Sequence, residues 1–144
     1  SQRFRAPLAS PPAALFARMS ARHPAPWAAY LDGGRFALLS GSPECFLQRR
    51  GRCVSTFPIK GTRPRGADEA RDKAMASDLR SSVKDGAEHL MIVDLERNDL
   101  GRVCRYGSVA VPRFAALRTF PSLHHLESEV RGELRPETSL AELL

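Results

Sequence analysis

The 144-residue chain is short of aromatic residues, at 7%, and holds one tryptophan, two tyrosines and three cysteines. Cys45, Cys53 and Cys104 are odd in number and lack a Cys-x-x-Cys spacing. That excludes a disulfide framework and leads us to expect a reduced, cytoplasmic setting. No apolar run approaches the roughly 20 residues a membrane helix needs, so no membrane partner is expected. No basic segment leads into an apolar stretch, so no secretory signal is expected either. Internal repeats and low-complexity tracts are absent. With 42% hydrophobic and 26% charged residues, 10 glycines and 11 prolines, collagen, coiled-coil and wholly disordered chains are excluded. The length predicts one domain able to bury roughly two thirds of its extended-chain surface.

What is present in excess is arginine, which carries most of the net charge of +6. The arginines are dispersed. Only Arg49-Arg50-Gly51-Arg52 and Arg63-Pro64-Arg65 cluster, and neither is interleaved with aromatics. A nucleic-acid groove is therefore not expected; a solvated surface or a small-anion site remains.

Local signals predict mixed α and β structure. Ser10 is a candidate N-cap before Pro11, and Pro24-Ala25-Pro26 closes that helix. Trp27–Leu31 and Phe36–Leu39 predict a hairpin across Asp32-Gly33-Gly34. Cys45–Gln48 and Cys53–Ile59 predict a second strand pair, followed by a Gly/Pro/Arg loop over 61–66. A polar helix is predicted over Asp68–Arg80. A longer helix follows, capped by Ser81 or Ser82, with Val83, Ala87, Leu90, Met91 and Leu95 as its apolar stripe. Val109–Val111 and the stretch from Phe114 read as strands. His124–Val130 alternates, with Leu126, Ser128 and Val130 on one face and His125, Glu127 and Glu129 on the other. A last helix from Leu140 is little more than one turn long, with no apolar partner in view.

Several residues carry chemistry. Lys60 ends an apolar strand. A solvated lysine amine titrates near ~10.4, so a nucleophilic one needs burial or a neighbouring cation. Gly61-Thr62 can offer backbone N–H groups and a hydroxyl to a carboxylate. Glu44 begins a strand beside Pro43. Glu88 borders the apolar stripe of the long helix; a carboxylate there is either a salt-bridged helix residue or a hard oxygen ligand suited to Mg²⁺. His125 is a candidate proton donor or a satisfied core histidine.

The order of these pieces is informative. The segments Ser42-Pro43-Glu44-Cys45-Phe46-Leu47, Pro58-Ile59-Lys60-Gly61-Thr62-Arg63-Pro64-Arg65-Gly66, Ala87 to Val103, Gly107-Ser108-Val109 and His125-Leu126-Glu127-Ser128 together resemble the chorismate-binding enzymes. The resemblance runs over nearly the whole chain. It implies an α+β fold, part of a two-sheet antiparallel sandwich with outer helices, and makes residues 1–144 part of a catalytic domain. Where anthranilate synthases carry alanine, this chain has Lys60, which resembles the aminodeoxychorismate synthase component I branch of folate and para-aminobenzoate biosynthesis. The resemblance implies that Lys60 attacks chorismate, that Glu44 is the general acid, that His125 lies near the ring, that Gly61 and Thr62 bind substrate, and that Glu88 is a Mg²⁺ ligand. It further implies a glutamine amidotransferase subunit or domain as the source of ammonia. Anthranilate, isochorismate or salicylate formation on the same fold, or a non-catalytic chorismate domain, are the competing readings. The family's Thr-Gly-Ala-Pro-Lys segment is not in this sequence, so the 144 residues alone are expected to be poorly active.

Overall fold

The computed structural model describes residues 2–144. They form two compact units, one ending at Glu44 and the other running Cys45–Leu144.

In the first unit, helix α1 (Pro12–Arg22) precedes strands β1 (Trp27–Asp32) and β2 (Ala37–Ser42). The cap differs from expectation. Pro11, not Ser10, occupies the N-cap, with no side-chain cap bond. The ring of Pro12 holds the preceding residue out of helical conformation, so the helix begins one residue late. Ser10 Oγ instead accepts from Arg18 Nη2 at 3.0 Å. The hairpin is as expected. β1 and β2 pair antiparallel, and Asp32 Oδ1 accepts the Gly34 N–H at 2.8 Å in the turn.

The second unit is built around one long strand. Strands β3 (Gln48–Arg50), β4 (Cys53–Thr56) and β5 (Ile59–Pro64) come first, then helices α2 (Glu69–Ser81) and α3 (Val83–Val103). Strands β6 (Ala110–Thr119) and β7 (Leu123–Glu133) and the short helix α4 (Leu140–Leu143) complete it. β7 is central to the five-stranded sheet. Its first half pairs with β5 and its second half with β4, while β6 runs along its other edge, all antiparallel.

Four sequence expectations are corrected here. The strand expected over Cys45–Gln48 starts only at Gln48, and the one expected over Cys53–Ile59 is divided between β4 and β5. Pro58 lies at that division, where it cannot donate to a ladder. The loop expected at 61–66 is largely strand, because β5 continues to Pro64 through a register shift at Gly61. The α3 stripe is turned the other way. Val83, Leu90, Met91 and Leu95 are exposed, and the buried residues are His89, Val93 and Leu100. α3 carries apolar residues on two sides, so periodicity alone does not say which side meets the sheet.

The core has Val93 and Leu100 of α3 against Val54 of β4 and Val130 of β7, with Cys104 and Leu134 alongside. On β7, Leu126, Ser128 and Val130 are buried on one face, as the alternation implies. The opposite face is not simply solvated. Glu127 is half-buried and pairs with Arg113 and Arg118 of β6. α4, expected to lack partners, has a Ser139–Glu142 capping box and packs Leu143 against the core.

Candidate functional site

The site is assembled on β5 and β7, under the first turns of α3. Lys60 pairs with Leu126, and after the register shift Thr62 pairs with His125. Opposed residues of an antiparallel pair project to one side. Lys60 therefore leaves the sheet on the face that carries Leu126 and Ser128, the face that α3 covers. The chain has three lysines. Lys73 pairs with Glu69 and Lys84 with Glu88, whereas Lys60 has no ion pair among the described residues. It is half-buried.

Gly61 makes the bulge possible for two reasons. Its φ is +77°, in the left-handed region. A Cβ there would also lie 2.8 Å from Leu79 Cδ1 of α2 and 3.2 Å from Asp85 Cβ of α3. Both helices thus close directly onto the glycine beside Lys60. α3 is held in place by Ser82, whose Oγ accepts the Asp85 N–H at 3.2 Å, and by Arg63, whose Nη2 donates to Asp85 Oδ2 at 3.0 Å. A side-chain hydrogen bond of Ser82 to the carboxyl, above all, and then that of Arg63 hold Asp85 below its ordinary carboxylate range.

His125 is buried and sits against the bulge. Its Nδ1 lies 2.9 Å from Thr62 Oγ1 and 3.3 Å from Gly61 O. The Gly61 carbonyl can only accept, so that contact requires a proton on Nδ1. Phe120 packs edge-on against the ring, with centroids 5.8 Å apart. Its neighbour His124 is the satisfied core histidine. Nε2 donates to Asp72 Oδ1 at 3.0 Å, and Nδ1 lies 2.9 Å from Thr119 Oγ1.

Glu88 lies on α3 beside the fully buried His89. It is exposed and only loosely paired with Lys84, at 3.8 Å. Among the described residues no three His, Cys, Asp or Glu side chains gather as a metal cluster. The exposed Glu88 carboxylate is a hard oxygen donor of the kind Mg²⁺ takes, one or two at a time, filling its shell with water and substrate oxygens. Glu44 lies in the first unit, where its N–H donates to Ser42 Oγ at 3.2 Å and its carbonyl accepts from the same hydroxyl at 2.9 Å. The structure thus brings together Lys60, Gly61, Thr62 and His125. Glu88 stands on the helix above them, and Glu44 belongs to the other unit.

The sequence profile of the chorismate binding enzyme family matches residues 1–144. The chain belongs to the chorismate binding enzyme family. It is 47% identical over 113 residues to aminodeoxychorismate synthase component 1 of Bacillus subtilis, covering 78% of this chain and 24% of that protein. It is 43% identical over 144 residues to an anthranilate synthase component 1 of Haloarcula marismortui, covering 100% of this chain and 29% of that protein. Among solved structures, anthranilate synthase component I from Streptococcus pneumoniae superposes with a TM-score of 0.82 at 32% identity, over 95% of this chain and 29% of that one. The chain therefore spans between about a quarter and a third of these relatives. The chain has the α+β fold of its family, with antiparallel sheets and flanking helices.

Three residues at the site were not singled out by the sequence. Asp85 had a legible signal, as the N3 residue after the Ser82 cap. His89 was visible only as the neighbour of Glu88. Ser128, at an alternating buried position, gave no chemical signal of its own.

Proposed function

We propose that the protein converts chorismate and ammonia to 4-amino-4-deoxychorismate, with Lys60 as the nucleophile. The observation that carries this reading is the state of Lys60: half-buried at a strand bulge, facing α3, with no carboxylate paired to it among the described residues. A lysine locked in an ion pair would be held in its charged form and kept from attacking carbon.

In this reading the Lys60 nitrogen forms a bond to ring carbon C2. The two ring double bonds shift toward C4, and the C4–O bond breaks. Hydroxide is a poor leaving group, so Glu44 delivers a proton and the oxygen departs as water. Ammonia then bonds to C4, the double bonds shift back, and Lys60 is released. Gly61 and Thr62 contact the substrate beside the nucleophile, and His125, held by Thr62, turns Nε2 toward the ring. Glu88 would hold Mg²⁺, which would neutralise substrate carboxylate charge. A dianionic substrate is also suited to a chain of net charge +6. The reading brings with it a glutamine amidotransferase partner as the ammonia source and a cytoplasmic place in folate synthesis.

A second reading, anthranilate formation, is favoured by the similar identity to anthranilate synthases. Product analysis of the intact natural protein with chorismate, ammonium and Mg²⁺ separates the two. Aminodeoxychorismate that disappears in Lys60→Ala is the expected result. Anthranilate formed at an undiminished rate by Lys60→Ala would overturn the proposal.

A further inference from the structure

His89 is 0% exposed, and its Nε2 lies 2.6 Å from Ser128 Oγ, which is also fully buried. The same Oγ accepts the Ala115 N–H at 2.8 Å. Ala115 has a φ of 45°, a left-handed conformation that L side chains adopt at a cost, at an irregularity of the β6–β7 pairing. One serine hydroxyl thus links three elements: α3 through His89, β7 through Ser128 itself, and the kinked segment of β6 through Ala115. Phe114 stacks edge-on against the His89 ring, with centroids 5.6 Å apart. The pinned residue is the direct neighbour of Glu88 on α3.

We propose that His89 is a positioning residue: its bond to Ser128 sets how α3 sits on β7, and so sets the placement of Glu88 relative to Lys60. The inference rests on the roles proposed above for those two residues. Val93 and Leu100 of α3 pack against Val130 of β7, and that apolar packing is non-directional. The hydrogen bond therefore supplies what packing does not, a fixed height and rotation of the helix over the strand.

The test uses the intact natural protein and three variants. His89→Phe fills the site without a hydrogen-bonding nitrogen. His89→Gln returns an amide that can donate or accept close to the position of Nε2. Ser128→Ala removes the hydroxyl and adds no bulk. Binding of Mn²⁺, standing in for Mg²⁺, is measured by electron paramagnetic resonance with chorismate present, beside kcat and thermal stability. His89→Phe and Ser128→Ala are expected to weaken Mn²⁺ binding and lower kcat by about 10- to 100-fold, as loss of an orienting contact behind a metal ligand does elsewhere. His89→Gln is expected to recover most of both. Unchanged Mn²⁺ affinity and kcat per folded molecule, with only the melting temperature lowered, would overturn the proposal. Should His89→Phe fail to fold, Ser128→Ala decides alone by the same criteria. Lys60→Ala and Glu88→Gln are run in parallel. If both keep full activity, the underlying functional reading has failed; if both lose it and the His89 variants do not, only the positioning role has failed.

Discussion

Gly61→Ala probes the packing beside Lys60 more sharply than any other single methyl group. Two costs add. An alanine at φ +77° pays the left-handed backbone penalty, roughly 1–2 kcal/mol. Its Cβ would also stand 2.8 Å from Leu79 Cδ1 and 3.2 Å from Asp85 Cβ. Leu79 is 0% exposed, so its side chain cannot relax into solvent. Overpacking of that kind costs typically about 1–3 kcal/mol. Lower entropy of the unfolded chain returns about 0.4–1 kcal/mol. The net expectation is a loss of about 2–4 kcal/mol, read as a lower urea midpoint by circular dichroism. Gly51 provides the control, because its φ is +61° but an added Cβ would meet nothing within 4 Å. Gly51→Ala should show the backbone penalty alone. Equal losses in the two variants would refute the steric argument. A double variant with Leu79→Ala adds a second check, since relief of the clash makes the combined loss smaller than the sum of the two.

Further expectations follow from the same contacts. Ser82→Ala removes the cap of α3 and should cost about 1 kcal/mol in urea unfolding, with Ser82→Asp restoring most of it. Asp72 accepts two bonds from Arg65, one from the Gly66 N–H and one from His124, and Arg65 above all holds its carboxyl well below the usual range. A depressed carboxyl stabilises the fold above the unfolded value near ~3.9 and loses that contribution as pH falls through it. Asp72→Asn should therefore flatten the decline in melting temperature below about pH 4; an unchanged acid limb would contradict the assignment.

Much of this was legible in the residues themselves. The Asp32-Gly33-Gly34 turn, the Ser82 cap and the alternation of β7 are local signals, and local physics decides them. The motif from Pro58 to Thr62 singled out Lys60, which β5 places beside the Gly61 bulge. What was not legible depends on distant partners. β5 continues past Gly61 because β7 supplies a ladder for it, although Gly and Pro there read as loop. The inward side of α3 is chosen by Ser128, Val130 and Val54, which lie far from the helix in sequence. His124 and His125 are adjacent and chemically identical in sequence. Strand alternation sends one to Asp72 and the other to Thr62.

The central claim is that a covalent bond forms between chorismate carbon and the amine at position 60. Its most direct measurement is peptide mass spectrometry of the intact natural protein, acid-quenched during turnover with chorismate and Mg²⁺, with ammonia withheld. The account predicts a dehydrated chorismate adduct on the Lys60 peptide that vanishes when ammonium is added. An unmodified Lys60 peptide, with aminodeoxychorismate still formed once ammonium is supplied, would contradict it.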